Sequence, residues 1–288
     1  MGEIVGSALV AHVPPLVLPQ DVRLELNNGR DFSIVEGLHR MRRECIDPLQ
    51  PDTIVVLDTH WFTTFEWVVS AHERRTGKFT SEELPRGNPQ MPYDIVGDPQ
   101  LAHLVAEVAA ERSDTWVHAN DDPYLPIRYA TVYLTPFLQR PGERWMSVST
   151  CQTAEYSDMV AFGEVLGEAI RRSDRRVVVI ASGALSHKFW PLSQLRQHEG
   201  ADPVDVISPE HRAADERLIG WMEAGDHAAV LADYPDFRQY SPEGRFAHYV
   251  IMATAQGGPA WNSPGVPYSD YENAAGTGQI HLWFPAAH

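Results

Sequence analysis

The chain has 288 residues, of which 43% are hydrophobic and 22% charged, and a formal net charge of -16. Those values describe a globular protein with enough chain to bury an extensive core, and the acidic balance excludes broad binding to nucleic acid or to an anionic membrane, which would be repelled over most of the surface. No apolar run approaches the roughly 20 residues that cross a bilayer, Met1-Gly2-Glu3-Ile4 lacks the basic start of a secretory signal, and Cys45 and Cys151 are too few for a disulfide scaffold or an all-cysteine zinc site.

A cytoplasmic protein is the expectation, and thirteen histidines against two cysteines direct any metal chemistry toward nitrogen and oxygen ligands. Residues 4–11 read as a strand running into His12 and Val13-Pro14-Pro15. Residues 16–31 show no sustained period and read as a loop. Phe32, Val35, Leu38 and Met41 give 32–45 a helical stripe, which ends before Pro48 and Pro51. Residues 53–57 form an apolar strand that stops in Asp58, Thr59 and His60. Another strand follows at 67–71, and then 72–98 is a long connection of the kind that carries function.

Asp98 and Pro99 suit the N-cap and first turn of a helix with a stripe of Leu101, Leu104, Val105 and Val108. Residues 115–117 read as a short strand ending in His118, 126–138 as a helix, 144–149 as a strand and 159–171 as a helix. The apolar strand 177–181 runs through Ser182-Gly183-Ala184-Leu185-Ser186 into His187. Helices are expected at 210–224 and 228–234, and a further one through Ala255 with Ser241 as N-cap and Glu243 in its first turn. Residues 277–284 look like a closing strand. Strands and helices alternate without a linker or repeat, which predicts one α/β domain over 1–288, its central mixed sheet flanked by helices and its site at strand ends.

Three apolar strands that end in histidine point to one shared site. Two imidazoles and one carboxylate on one face of a metal, with the remaining positions open, form the facial triad of non-haem iron oxygenases. His12, His60 and Glu243 supply that set on this reading. Taken singly, each has an ordinary structural alternative, a hydrogen-bonded histidine or a glutamate serving the helix macrodipole, and the pattern alone leaves both readings open.

His12-Val13-Pro14, Asp58-Thr59-His60-Trp61, Ser182-Gly183-Ala184-Leu185-Ser186-His187 and Gly276-Thr277-Gly278-Gln279 occur in this order over nearly the full chain. Together they resemble the type III (LigB-like) extradiol ring-cleavage dioxygenases, and Thr80-Ser81-Glu82-Glu83-Leu84-Pro85 is similar to the subgroup acting on 3,4-dihydroxyphenylacetate. The resemblance implies Fe(II) bound by His12, His60 and Glu243, with His187 as acid/base and His118 as a supporting donor. It also implies O2 and a small aromatic diol as substrates, a hydroxymuconic semialdehyde as product, and a homo-oligomer, dimer or tetramer. Relatives also open 2-aminophenols and dihydroxypyridines.

Other side chains have expected roles around that site. Asp58 would either orient His60 or cap the turn, and Trp61, Phe189 and Trp190 could pack on a ring. Arg128 and Arg245 are candidates for a substrate carboxylate. His248 reads as packing. Two rival classes use the same residues differently: a zinc hydrolase with a metal-bound hydroxide, and a non-catalytic relative of the fold.

Overall fold

The structure is a computed structural model that describes residues 1–85 and 90–286. Its strands, in chain order, are β1 (Glu3–Val10), β2 (Thr53–Thr63), β3 (Trp67–Ser70), β4 (Arg74–Phe79), β5 (Met91–Val96), β6 (Val117–Asn120), β7 (Arg144–Cys151), β8 (Arg176–Ser182), β9 (Val266–Pro267), β10 (Glu272–Ala274), β11 (Thr277–Gln279) and β12 (Leu282–Pro285). Eight of them form one sheet in the order β6-β3-β7-β2-β8-β1-β12-β9. The central four, β7, β2, β8 and β1, are parallel, whereas β12 and β9 add on antiparallel at one side and β3 meets β7 antiparallel at the other. The sheet is therefore mixed.

Alternation along the central strands divides their apolar side chains between two cores. Leu9, Val55, Leu57, Val177, Val179 and Ala181 face the layer built by helices Pro99–Ala110, Tyr156–Arg172 and Ala247–Ala255. Ala8, Val10, Ile54, Val56, Val178 and Ile180 face the layer that contains helix Ser33–Met41. Each fully buried valine, leucine or isoleucine contributes roughly 1.5–3 kcal/mol by leaving water, so the middle of the sheet is a stiff platform for whatever lies at its strand ends. Asp98 caps its helix as its sequence predicts, accepting from Leu101 N at 3.1 Å.

Several segments differ from the sequence expectation. A short helix, Gln20–Leu26, occupies part of 16–31. The segment 126–138 is two helical turns, Tyr129–Val132 and Thr135–Leu138, because Pro136 has no N–H to offer Val132; the Thr135 hydroxyl donates to that carbonyl instead, at 2.9 Å. The connection 72–98 contains the antiparallel hairpin of β4 and β5, and part of its Pro-rich stretch 85–92 lies outside the described residues. The closing strand is split at Ile280-His281, so that β11 pairs with β10 and β12 rejoins the main sheet. Both cysteines are free. Among the described residues, no helix is long and apolar enough to cross a membrane.

Candidate metal centre

The carboxyl ends of β1, β2 and β8 lie side by side, because β8 pairs in parallel with both of the others. The β2–β8 ladder stops at Asp58 and Ser182, and against β7 the register of β2 jumps from Leu57 to Phe62. Residues 58–61 bulge out between those two ladders, a common way to re-aim a side chain beside a site, and His60 sits in the bulge. The Asp58 carboxylate braces it, with Oδ1 accepting from His60 N at 2.9 Å and Oδ2 from the Thr131 hydroxyl at 2.8 Å. Asp58 thus fixes the backbone under His60 and makes no hydrogen bond to the imidazole.

Glu243 arrives by a different route from the one its sequence suggests. Ser-Pro-Glu-Gly matches a helix start, yet Ser241 has φ +52° and Gly244, Arg245 and Phe246 have φ +54°, +58° and +65°. The helix begins only at Ala247. Each left-handed residue other than glycine carries strain of order 1–3 kcal/mol, which only tertiary packing can hold; local propensity could not reveal it. At Gly244 a Cβ would stand 2.7 Å from Thr59 Cγ2. The turn sends the Glu243 carboxylate back to the strand ends, where Oε1 lies 3.1 Å from His12 Nε2, 2.8 Å from His60 Nε2 and 2.8 Å from the Thr59 hydroxyl. Its Oε2 accepts from Ala184 N.

One ligand atom from each of His12, His60 and Glu243 can be chosen so that all three lie within 4.8 Å of one another. The Ser182 hydroxyl donates to Ala130 O at 2.8 Å, so toward His12 Nδ1, 3.0 Å away, it acts as acceptor. That places a proton on Nδ1, so that once a metal replaces the Nε2 contact with Glu243 it is the Nε2 lone pair that His12 offers. For Glu243, burial favours the neutral acid, but the charges of His12 and His187 and the hydrogen bonds from His12 and His60 outweigh it and hold the carboxyl well below the usual range. Burial likewise favours neutral His60, and Glu243 outweighs it, so the His60 pKa is raised. A buried carboxylate clasped by two imidazoles calls for a cation between them, and this donor set fits a divalent first-row metal with positions left open.

The three converge at one end of a cavity of about 410 Å³, within the roughly 300–1,000 Å³ of pockets that take small organic ligands. Val13, Pro14, Leu18, Leu26 and Leu195 make much of its wall apolar. His187 lines it, its ring nitrogens free of hydrogen bonds among the described residues, and burial lowers its pKa against the opposing charge of Glu243. Tyr129 also lines it, with its hydroxyl 2.6 Å from His60 Nε2 and 3.1 Å from Glu83 Oε2.

The turn carrying His187 is clamped from outside the cavity. Leu185 N donates to Gly278 O and Gly278 N to Ser186 O, at 3.1 and 3.0 Å. The Asp215 carboxyl accepts from Ser186 N at 2.9 Å, from the Ser186 hydroxyl at 2.7 Å and from the Tyr271 hydroxyl at 2.6 Å. A Cβ at Gly278 would stand 2.0 Å from Asp215 Oδ2, which explains why the Gly-Thr-Gly motif is needed there. Sequence reasoning gave no individual role to Thr59, Tyr129, Asp215 or Tyr271, although Thr59 stands in the Asp58-Thr59-His60-Trp61 motif and Gly278, which packs on Asp215 and Tyr271, in the Gly-Thr-Gly motif.

Several expected participants lie elsewhere. His118 does not end a strand: β6 starts at Val117, pairs His118 with Val68 at the sheet edge and leaves its side chain exposed, away from the cavity lining. Arg128 faces Glu82 at 3.5 Å, and Arg245 donates to Gln152 O and Glu155; neither lines the cavity. Phe189 does line it, whereas Trp61 is buried and Trp190 stacks on His198 with ring centroids 3.9 Å apart. His248 is buried, with both ring nitrogens unpaired.

Fold and site together define an α/β protein with a candidate His-His-Glu metal centre at parallel strand ends, open to an apolar cavity. Residues 6–278 match the family described as the catalytic LigB subunit of aromatic ring-opening dioxygenase, so the chain belongs to the LigB family and is a ring-cleaving dioxygenase. It is 27% identical over 254 residues to 3,4-dihydroxyphenylacetate 2,3-dioxygenase of Escherichia coli, covering 88% of this chain and 89% of that one. It is 25% identical over 254 residues to the 2-aminophenol 1,6-dioxygenase beta subunit of a Pseudomonas species, covering 82% and 79%. The crystal structure of an uncharacterized protein from Escherichia coli K12 shares the fold, with a TM-score of 0.65, 13% identity and coverage of 97% and 99%.

Proposed function

We propose that the protein catalyses Fe(II)-dependent extradiol cleavage of a catechol by O2, breaking the ring bond beside the diol to give a hydroxymuconic semialdehyde. The observation that carries this reading is the convergence of His12, His60 and Glu243 in a largely apolar cavity that His187 also lines. Both atoms of O2 enter the product and no other reductant is needed. When bound, Fe(II) would offer adjacent positions to the diol oxygens and to O2, and its Lewis acidity would stabilise the phenolate.

The chain's own groups do the rest. Ser182 keeps the His12 Nε2 lone pair directed at the centre. The apolar wall excludes water and holds the reactants in mutual reach, which removes much of the entropy of encounter. Burial lowers the His187 pKa and so favours its neutral ring, whose free nitrogen can take a proton from a diol hydroxyl and return it to an oxygen as the O–O bond breaks. The Tyr129 hydroxyl, beside His60, faces the same space as a hydrogen-bond donor.

The test is oxygen uptake by anaerobically iron-loaded protein, given a catechol panel and 2-aminophenol. The expected result is one O2 consumed per yellow ring-opened product, with zinc-loaded protein inert. Full iron occupancy without oxygen uptake on any of them refutes the proposal.

A further inference from the structure

The cavity is charged in a way that bears on the substrate. Among the described residues, no lysine or arginine lines it, whereas two carboxylates besides Glu243 do, Glu83 and Glu199. Glu83 lies at the metal end, with Oε1 3.6 Å from His60 Nδ1. Glu199, which follows the short helix Leu195–Gln197, is half-buried and makes no hydrogen bond or ion pair among the described residues. Of the two arginines expected to serve an anion, Arg245 donates to Gln152 O and Glu155, and Arg128 reaches Glu82 only at 3.5 Å with its buried Nε unpaired among the described residues; neither lines the cavity.

Charge balance sharpens the point. A metal dication with one carboxylate and two neutral imidazoles has one net positive charge, which a singly deprotonated diol cancels. A carboxylate on the substrate's side group would then share the cavity uncompensated with Glu83 and Glu199, inside low-dielectric walls and in the field of a chain with net charge -16. An ammonium in that place meets a free carboxylate, and an alkyl group meets Val13, Leu18, Leu26 and Leu195.

We propose, resting on the ring-cleavage reading, that the site selects ortho-diols whose side group is uncharged or cationic, and that Glu199 is the residue that discriminates against a carboxylate. The selectivity sets this chain apart from what the name of its Escherichia coli relative would suggest.

Three near-isosteric probes test this: 4-ethylcatechol, 2-(3,4-dihydroxyphenyl)ethylamine and 3,4-dihydroxyphenylacetate. Their binding to iron-loaded protein is measured by calorimetry without oxygen, and their turnover in air. The ethyl and amine compounds should bind at least about tenfold more tightly than the acetate, the scale of like-charge juxtaposition at a partly screened site. Glu199→Gln should shrink the amine-over-acetate ratio by about tenfold, and Glu199→Lys should invert it.

Binding order is read independently of turnover. If neither these probes nor any compound of the wider panel is opened, the ring-cleavage reading falls, whereas an acetate bound as tightly as the amine overturns this inference with that reading intact. A ratio unmoved in Glu199→Gln overturns it too. So does an acetate preference abolished by Arg86→Gln, a position outside the described residues.

Discussion

Replacing Ser182 by alanine removes one hydroxyl and leaves His12, His60 and Glu243 untouched. In the native chain that hydroxyl donates to Ala130 O at 2.8 Å and accepts from His12 Nδ1 at 3.0 Å. Ser182 is 0% and His12 3% exposed, so water cannot take its place. Each buried polar group left without a partner costs about 1–3 kcal/mol. The His12 ring recovers part of that loss by moving its proton to Nε2, where Glu243 Oε1 waits 3.1 Å away. That tautomer has no lone pair on Nε2, the nitrogen that faces the centre, to offer a metal. Losing such an outer partner lowers metal affinity about 10- to 100-fold, or about 1.4–2.7 kcal/mol. Fe(II) affinity is read anaerobically by competition with a chromogenic chelator, and the stability of the metal-free variant by urea denaturation. A stability loss with Fe(II) affinity within about twofold of wild type would refute the tautomer argument and reduce the hydroxyl to packing.

Three further substitutions probe the surroundings. His187→Phe should keep full iron occupancy while turnover falls by about 10²- to 10⁴-fold; wild-type turnover across neutral pH would remove His187 from the mechanism. Gly244→Ala forces an alanine to φ +54° with its Cβ 2.7 Å from Thr59 Cγ2, so denaturation should show a loss of about 1–3 kcal/mol together with weaker Fe(II) binding, and unchanged values for both would show that the turn is not strained. Burial raises the Asp215 carboxyl from its ordinary 3.8 to about 7, against hydrogen bonds from Ser186 and Tyr271 that lower it. A carboxyl shifted upward stabilises the fold fully below about pH 4 and loses that contribution as pH rises through about 7, at most about 4 kcal/mol. The stability of wild type relative to Asp215→Asn should therefore fall over that window; a constant difference from pH 4 to 8 would show that Asp215 does not titrate there.

Much of the central sheet was legible because a long apolar strand needs no partner to be recognised. Val177 to Ala181 can only be buried on both faces, and His12 and His60 stand out because each interrupts such a run. The hairpin of β4 and β5 escaped notice because its outer face is Arg74, Thr76, Lys78 and Asp94, so its alternation is of polar with slightly less polar. His118 was misplaced by a boundary: a strand beginning at Val117 rather than ending there sets the imidazole on a solvent-facing edge. Glu243 was found with the wrong backbone around it, since the left-handed path from Gly244 to Phe246 is stabilised by distant residues such as Thr59. Tyr129 and Asp215 belong to the site through contacts 69 and 29 residues away in sequence, separations over which no local pattern extends.

The left-handed turn has a kinetic consequence. Glu243 is joined through three residues to Ala247–Ala255, a helix buried along nearly its whole length in the larger core. The carboxylate cannot swing clear by fraying of a surface segment; to let go, that helix has to leave its bed. Exchange of a bound ion should accordingly track the slow opening of the core, and amide hydrogens of Tyr249 and Val250 would report the same clock.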